Sequence, residues 1–330
     1  MSRFDLVQVG FFKPILESLH QAGVSMDPLI RKAGLEKFNL HLEDGYVPVS
    51  FLYKLLETVQ HEQGVEDFFN EFYEVCHLVS LSQWGQMISL APDVWSACRL
   101  AEQHDLVALT HESIGLEVNG ATAKLWQSFE DEPVAGWEAA NYLSLALMLN
   151  GFRLAGGPDW APLEIHFQAK TPLKKDTFLP PGYQTKLYFG QPVSAVVFPT
   201  SMFNKPMLGN ASGIDLELKE GPKTTSLKTI CLLESMAGLH LPNIEVMSEL
   251  AGMSTRSYQR RLAVEGTTYQ DLVDGWRFKS ALQFLAKGTV PIKEISQNLY
   301  YANTPNFHRA FRRWTNTSPQ EYRQELAKAG

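Results

Sequence analysis

Residues 246–262 read VMSELAGMSTRSYQRRL, and residues 295–311 read ISQNLYYANTPNFHRAF. The two stretches align without a gap at an offset of 49 residues, so that Thr255 matches Thr304 and Arg260 matches Arg309. Self-similarity at such a period indicates two copies of one supersecondary unit. This repeat decides the fold that we predict for the carboxy-terminal part of the chain.

Each copy has the pattern of a short helix, a tight turn and a longer helix. In the first copy, apolar residues recur three and four apart on either side of Gly252, which permits a tight turn. In the second copy, Ile295 and Leu299 continue an apolar stripe, and Phe307 and Phe311 pack back on it. The repeat therefore predicts two helix-turn-helix units.

One long helix is predicted between the copies. Residues 267–288 begin with a Thr268-x-x-Asp271 capping pattern and end at Gly288, a residue typical of the end of a helix. At about 1.5 Å per residue, such a helix spans roughly 30 Å, which is close to one turn of B-DNA. Two readers on this spacer reach successive major grooves, so we predict an all-α DNA-binding domain over residues 227–330.

The charge of the chain is divided unevenly along the sequence. A net charge of -7 by itself argues against a nucleic-acid partner. Residues 227–330, however, contain 13 Lys and Arg against 9 Asp and Glu, whereas the preceding residues contain 16 against 27. This asymmetry is expected when one module meets DNA and the other meets something else.

The amino-terminal part has the pattern of an α+β domain. Helical spacing occurs in DPLIRKAGL, SFLYKLLETVQHEQ and PDVWSACRLAEQHDLV, and residues 113–129 alternate around an Asn119-Gly120 hairpin signal. LEIHFQAK and SAVVFPT also alternate, so we expect helices plus an antiparallel sheet. The run VAGWEAANYLSLALMLNGFRLAG is apolar nearly all round and favours a buried helix. A linker over residues 206–226 then separates this domain, residues 1–205, from residues 227–330.

The order SELAGMSTRSYQRRL, RFKSALQFL, EISQNL and FHRAFRRWTNTSPQEYR resembles the AraC/XylS family of transcription regulators over roughly residues 227–328. The amino-terminal part resembles the arabinose-binding-type domain of one AraC subgroup over about residues 5–205, through DPLIRKAGL, WGQMISLAPDVWSACRL, GGPDWAPLEIHF and YFGQPVSAVVFP. The resemblance implies a sequence-specific DNA-binding regulator with a sensing domain. It implies no specificity for a sugar.

The resemblance also implies roles for residues of the first unit. It presents Arg256, Gln259 and Arg260 toward base edges, because residues at i, i+3 and i+4 share one helix face. Phosphate contacts are expected from four further basic residues: Arg261, Lys279, Arg312 and Arg313. For the last three of these, a merely solvated surface is the alternative.

The second unit departs from the family pattern. Thr304, His308 and Arg309 stand where base-reading residues are expected. Tyr300, however, occupies a position where glycine is common, and Pro305 comes one residue later than usual. Whether this unit reads bases or chiefly grips phosphates therefore stays open at this stage.

The sequence contains no motif that defines a class of enzyme. GxSxG, GxxxxGKS and HExxH are absent. His104, Asp105 and His111 run from a helix end into a loop, which is a poor geometry for a metal. The acidic run at residues 130–132 is typical of a solvated turn. We therefore predict that the protein is not an enzyme and has no cofactor or metal. The alternative, an enzyme fused to a DNA-binding domain, would require catalytic turnover by residues 1–205 alone.

The cysteines and the apolar runs indicate the compartment. Cys76, Cys98 and Cys231 are widely spaced, which favours buried, reduced thiols. No apolar run reaches the roughly 18 residues that span a bilayer, and MSRFDLVQVGFFKP lacks the order of a signal peptide. We expect a cytoplasmic protein without membrane contact.

A regulator of this build needs a pocket for an effector in the amino-terminal domain. Candidates for its lining are Trp84 and Trp126, with Arg153 and Lys170 as a charged rim that suits a hydrophobic acid. We expect promoter DNA, a small-molecule effector, RNA polymerase and a second copy of the chain as partners. The alternative is a regulator without a small ligand, whose amino-terminal domain mediates only dimerisation or protein contacts.

Overall fold

The structure, a computed structural model, describes residues 4–21, 23–42, 44–63, 78, 81–110, 112–129, 134–170, 184–208 and 220–329. The chain divides into two compact units. The first comprises mainly Arg3–Glu36 and Leu40–Lys223, and the second mainly Thr224–Gly330. Cys76, His111, the acidic run at 130–132 and most of the predicted linker lie outside the described residues.

The first unit combines helices with two sheets, as the α+β prediction requires. Its helices are α1 (Phe12–Gln21), α2 (Met26–Ala33), α3 (Val49–Gln63), α4 (Gln83–Ser89), α5 (Val94–Gln103), α6 (Asp105–Ala108) and α7 (Trp137–Gly156). Its strands are β1 (Leu6–Gln8), β2 (Tyr46–Pro48), β3 (Glu112–Asn119), β4 (Thr122–Phe129), β5 (Glu164–His166), β6 (Lys186–Tyr188) and β7 (Ser194–Pro199).

The larger sheet has the strand order β3-β4-β7-β5-β6. The hairpin at Asn119-Gly120 is confirmed: Asn119 pairs with Thr122, and Gly120 has a φ of 59°. The predicted antiparallel pairing is confirmed for β3, β4, β7 and β5, whereas β6, which was not predicted, pairs with β5 in parallel. The chain between His166 and Lys186 is long enough for the crossover of about a dozen residues that a parallel pair needs.

The apolar run before β5 forms a buried helix, as predicted. It is α7, whose 20 residues include 12 buried ones on all sides of the helix. Asn141 is accommodated inside because its amide donates to Trp137 O and its Oδ1 accepts from Ser194. These bonds satisfy a polar group that would otherwise cost free energy in the core. The helix therefore packs against the inner face of the sheet.

The second unit is entirely helical among its described residues. Its helices are α8 (Thr225–Met236), α9 (Ile244–Leu250), α10 (Thr255–Val264), α11 (Tyr269–Ala286), α12 (Ile292–Asn298), α13 (Thr304–Thr315) and α14 (Pro319–Ala329). The pairs α9–α10 and α12–α13 are the two predicted helix-turn-helix units. The predicted long helix between them is α11, with 18 residues.

The gap-free alignment of the two copies needs a correction. The amide of Met253 donates to Ser248 O, and the amide of Tyr301 makes the corresponding bond to Ser296 O. These pairs show that the first helices of the two units correspond at an offset one residue shorter than the offset between the second helices. The second helices both begin at a Thr. The second turn is thus one residue longer. The sequence repeat hid this residue because Leu250 and Leu299 aligned, although Leu299 in fact matches the buried Ala251.

The helix α11 begins with the predicted capping box. The amide of Asp271 donates to Thr268 Oγ1 at 3.2 Å, and the amide of Thr268 donates to Asp271 Oδ2 at 3.1 Å. Two amides that have no partner within the helix are thereby satisfied. At about 1.5 Å per residue, the helix holds its ends roughly 27 Å apart.

Replacement of Thr268 by Ala should destabilise the second unit by about 1 kcal/mol, because the first turn of α11 loses the hydroxyl that caps it. Urea denaturation followed by circular dichroism measures this loss. The exposed Thr289, just past the end of the same helix, provides the matched control Thr289→Ala. Equal stability of the two variants would show that the capping box contributes nothing measurable.

Candidate functional site

The second helix of the first unit, α10, presents the predicted reading residues on one exposed face. Tyr258 and Leu262 are completely buried on its inner side. Arg256, Gln259 and Arg260 are exposed on the opposite side. Neither arginine makes an ion pair with a described residue, so both guanidinium groups are available to an external partner.

Polar contacts fix the orientation of α10 within its unit. The Tyr258 hydroxyl shares a hydrogen bond with Thr229 on α8, and Thr255 shares one of 3.0 Å with Ser248 on α9. Beyond the end of α10, the Glu265 carboxylate accepts from the amides of Thr225 and Ser226, each at 2.8 Å. Partial burial works against this carboxylate, but the hydrogen bonds prevail and lower the pKa of Glu265. The exposed face is therefore held by contacts at both ends of the helix.

The second helix of the second unit, α13, repeats the burial but not the exposed face. Phe307 and Phe311 are completely buried, at the positions of Tyr258 and Leu262. Arg309 is exposed and donates to the Asn306 side chain, one turn earlier. Thr304 and His308 are half-buried, and Pro305 is exposed in the first turn. The structure thus brings the predicted second set to one helix, with only Arg309 as an exposed cation among its predicted base readers.

The turn of the second unit contains Tyr300, the residue that stands where glycine is common, and depends on contacts from Arg277, which the sequence reasoning missed. Tyr300 has a φ of 58°, a left-handed conformation that costs free energy for a residue with a Cβ. Its ring stacks on Trp276 of α11 at a centroid distance of 6.3 Å. Arg277 donates to Leu299 O at 3.0 Å and to Tyr300 O at 3.2 Å. These contacts from α11 hold the strained turn in place.

The four predicted phosphate ligands divide into two groups. Arg261 and Arg312 are exposed, without an ion pair to a described residue. Arg313 instead pairs with Asp274 at 2.7 Å, and Lys279 pairs with Glu234 at 2.8 Å. Both pairs are solvent-exposed, so DNA phosphates can compete for the cations. The phosphate role of all four residues stays a prediction.

A cavity of about 70 Å³ lies in the first unit, between the sheet and three helices. The strand residues Ile114 and Leu125 form one wall, and Leu147 and Phe152 of α7 form another. Helices α4 and α5 close it with apolar side chains that include Ile88. The cavity matches the kind of apolar pocket between sheet and helices that was expected from the sequence.

Only one of the four predicted ligand residues lines this cavity. Trp84 belongs to its wall. Trp126 lies on the other face of β4, over Gly115, because residues of a strand alternate between faces. Arg153 donates through Nε to Trp160 O, and Lys170 is exposed near Gly190. The structure therefore does not bring Trp126, Arg153 or Lys170 to the cavity, and their ligand role remains untested.

Two polar cavity residues were missed by the sequence reasoning. Glu112 and Gln127 are each 3% exposed and line the cavity. Both stand at inward positions of alternating strands, beside Ile114 on β3 and Leu125 on β4. The signal that could have found them is a charged or amide residue at an inward strand position, because such residues are rarely buried unless they are paired.

Burial changes the acidity of two of the cavity groups. Desolvation raises the pKa of Glu112 to about 8, against a hydrogen bond from Ser144 that lowers it. Desolvation likewise raises the pKa of the Cys98 thiol to about 12. At neutral pH the cavity therefore holds a neutral carboxylic acid and a neutral thiol. A free, buried Cys98 agrees with the reduced thiol that was predicted.

Two family models match the chain. One describes the amino-terminal arabinose-binding domain of AraC transcription regulators and matches residues 23–207, which is more than half of the chain. The other describes a helix-turn-helix domain and matches residues 247–325. The chain belongs to the AraC family of transcription regulators.

Similar curated proteins are transcription regulators as well. The regulator VqsM of Pseudomonas aeruginosa is 39% identical over 85 residues, 26% of each chain. The ornithine utilization regulator of the same species is 32% identical over 149 residues, 41% of this chain and 43% of its own. The regulator VirS of Mycobacterium tuberculosis is 22% identical over 332 residues, 92% of each chain. The matched segments thus span under half of the length of the first two.

Among solved structures, the regulator CdpR from Pseudomonas aeruginosa is similar to 95% of this AraC-family chain and to 97% of its own. The identity is 18% and the TM-score is 0.41.

Two searches of the described residues returned nothing. No described helix of this AraC-family chain is both long enough and apolar enough to cross a membrane. No group of three or more potential metal ligands occurs within the described ranges, and His111 lies outside them.

Replacement of Glu112 by Gln should stabilise the first unit increasingly as the pH rises. The folded chain keeps a proton on Glu112 up to about pH 8, whereas the unfolded chain releases it near the ordinary pKa of 4.5. Wild-type stability is therefore lost as the pH rises between these values, and the variant escapes this loss. From about pH 6.5 to about pH 8 the advantage of Glu112→Gln should grow by about 1 to 2 kcal/mol.

Urea denaturation at both pH values measures this advantage. The exposed Glu117 on the same strand provides the control Glu117→Gln, whose difference from wild type should not grow with pH. An advantage of Glu112→Gln that stays constant across the range would mean that Glu112 ionises normally in the fold.

Proposed function

We propose that this chain is a sequence-specific, DNA-binding transcription regulator whose first helix-turn-helix unit reads base edges. The observation that carries the proposal is the exposed face of α10, with Arg256, Gln259 and Arg260 opposite a fully buried inner side. Arginine binds guanine with two hydrogen bonds, and glutamine can bind adenine in the same way. Helix α10 is therefore suited to enter a major groove as a recognition helix.

The second unit serves chiefly as a grip on the phosphate backbone. Its α13 offers Arg309 and Arg312 as exposed cations, while His308 is half-buried. Its turn is one residue longer than that of the first unit and is held by contacts from α11. Its second helix, α13, is therefore held in place by different contacts from those that hold α10. Phosphate contacts position a protein on the duplex without reading sequence. The roughly 27 Å of α11 separates a reader from an anchor.

The amino-terminal domain senses a small-molecule effector and controls DNA binding. The domain assignment is residues 1–205 for sensing and dimerisation, 206–226 for a linker and 227–330 for DNA. The cavity between sheet and α7 favours this function over a domain that serves only for self-association. The function requires an effector with different affinities for the DNA-competent and DNA-incompetent states. A homodimer, contact with RNA polymerase and a cytoplasmic location complete the proposal.

Replacement of Arg260 by Ala should weaken binding to the specific site by about 1 to 3 kcal/mol and relax the preference at one base position. Replacement of Arg312 by Ala should weaken specific and random DNA alike and reduce the dependence of affinity on salt. The operator is first obtained by genomic footprinting of the full chain. Fluorescence anisotropy with operator and random duplexes at several salt concentrations then measures both effects.

The exposed Lys328 on α14 provides the control Lys328→Ala, which removes one positive charge from a helix other than α10 and α13. This control should leave the preference for the operator unchanged. If Arg260→Ala lost the same free energy on operator and random DNA, its base-reading role would be refuted. If the wild-type chain bound no genomic site above background, the proposed function as a whole would fail.

A further inference from the structure

The polar side chains of Glu112, Ser144 and Gln127 form one hydrogen-bonded cluster at the cavity of the first unit. The Ser144 hydroxyl lies 2.6 Å from Gln127 Oε1 and 3.4 Å from Glu112 Oε1. A hydroxyl has one hydrogen, which goes to the nearer acceptor, Gln127. The same hydroxyl also lies within hydrogen-bond distance of Glu112 Oε1, so Glu112, Ser144 and Gln127 form one polar cluster.

This arrangement leaves donors without acceptors at the cavity. Among the described residues, the Gln127 amide nitrogen has no hydrogen-bond partner, although Gln127 is only 3% exposed. The indole nitrogen of Trp84, a residue on the cavity wall, also has none among them. A buried donor without an acceptor is unfavourable, and each such group in a folded protein requires an explanation. An acceptor atom supplied by a ligand explains both.

The charge of the wall restricts what that ligand can be. The described residues that line the cavity include no Lys, Arg or His. A carboxylate in this cavity would lose its hydration without gaining a cation, which is strongly unfavourable. The hydrophobic acid suggested by Arg153 and Lys170 therefore does not suit the cavity that the fold builds. An uncharged ligand does.

We propose that this cavity binds an uncharged, largely apolar effector with a hydrogen-bond acceptor such as a carbonyl oxygen, which receives the N–H groups of Gln127 and Trp84. The proposal rests on the proposed function, since it names the chemical class of the effector. The apolar body of the effector lies against Ile88, Leu125 and Phe152. The hydrogen bond from the Ser144 hydroxyl to Gln127 Oε1 orients the Gln127 amide, so that its N–H groups are left for the acceptor.

Three probes of similar size and shape test this class: acetophenone with a carbonyl oxygen, ethylbenzene without an acceptor, and benzoate with a negative charge. Isothermal titration calorimetry and ligand-observed NMR on the full chain measure their affinities. Acetophenone should bind roughly 3- to 10-fold more tightly than ethylbenzene, in keeping with one or two neutral hydrogen bonds, and benzoate should bind most weakly. Equal affinities for all three, tightest binding of benzoate, or no binding of any probe would overturn the proposal.

Two variants locate the site, and one variant serves as a matched control. Gln127→Met and Trp84→Phe remove the donors and keep most of the apolar volume, so each should weaken acetophenone about 3- to 10-fold and leave ethylbenzene unchanged. Trp126→Phe makes the same change on the opposite face of the sheet and should alter neither affinity. An equal effect of Trp84→Phe and Trp126→Phe would refute the assignment. Circular dichroism of each variant confirms that it is folded.

The same protein sample separates this proposal from the proposed function. Footprinting and anisotropy report DNA binding without any probe. A chain that binds its operator but shows no preference for acetophenone refutes the effector class alone. A chain that prefers acetophenone but binds no specific DNA refutes the proposed function and leaves the ligand chemistry of the cavity intact.

Discussion

The burial of two side chains one helical turn apart determines what each second helix presents to solvent. In α10 these are Tyr258 and Leu262, and in α13 they are Phe307 and Phe311. Because a helix has about 3.6 residues per turn, fixing this inner stripe fixes the opposite face as well. The exposed face of α10, which we propose to read base edges, is therefore a consequence of core packing. Its side chains owe their orientation to apolar contacts that do not involve DNA at all.

The second turn shows how a fold accommodates an unfavourable residue. A tyrosine with a φ of 58° is stabilised only if its surroundings supply more free energy than the conformation costs. Trp276 provides a stacked ring and Arg277 provides two hydrogen bonds, and both residues belong to the connecting helix α11. The connecting helix is thus part of the second unit's turn rather than a neutral spacer. Motion of α11 relative to this turn would break all three contacts together.

Local patterns predicted local structure well, and the reason is physical. The Asn119-Gly120 turn, the capping box at Thr268 and the stripes of the two units depend on residues close in sequence. The inserted residue of the second turn escaped, because matching leucines masked a shift that only backbone hydrogen bonds reveal. The polar lining of the cavity escaped for another reason. Its polar side chains come from β3, β4 and α7, and the spacing of residues in the sequence does not indicate which distant residues meet.

The cluster of Glu112, Ser144 and Gln127 also gives a reason for a carboxylic acid within an otherwise apolar wall. A leucine at position 112 would avoid the desolvation of a carboxyl group, and volume-conserving apolar replacements of buried polar groups are often stabilising. It would also remove the carboxyl oxygen that lies 3.4 Å from the Ser144 hydroxyl, next to the hydrogen bond from Ser144 that constrains the Gln127 amide. Burial of the Glu112 carboxyl group therefore costs free energy of folding within a cluster whose hydroxyl orients the Gln127 amide. A cost of this kind is expected if the cavity binds a ligand as we propose, because binding sites commonly give up some stability for function.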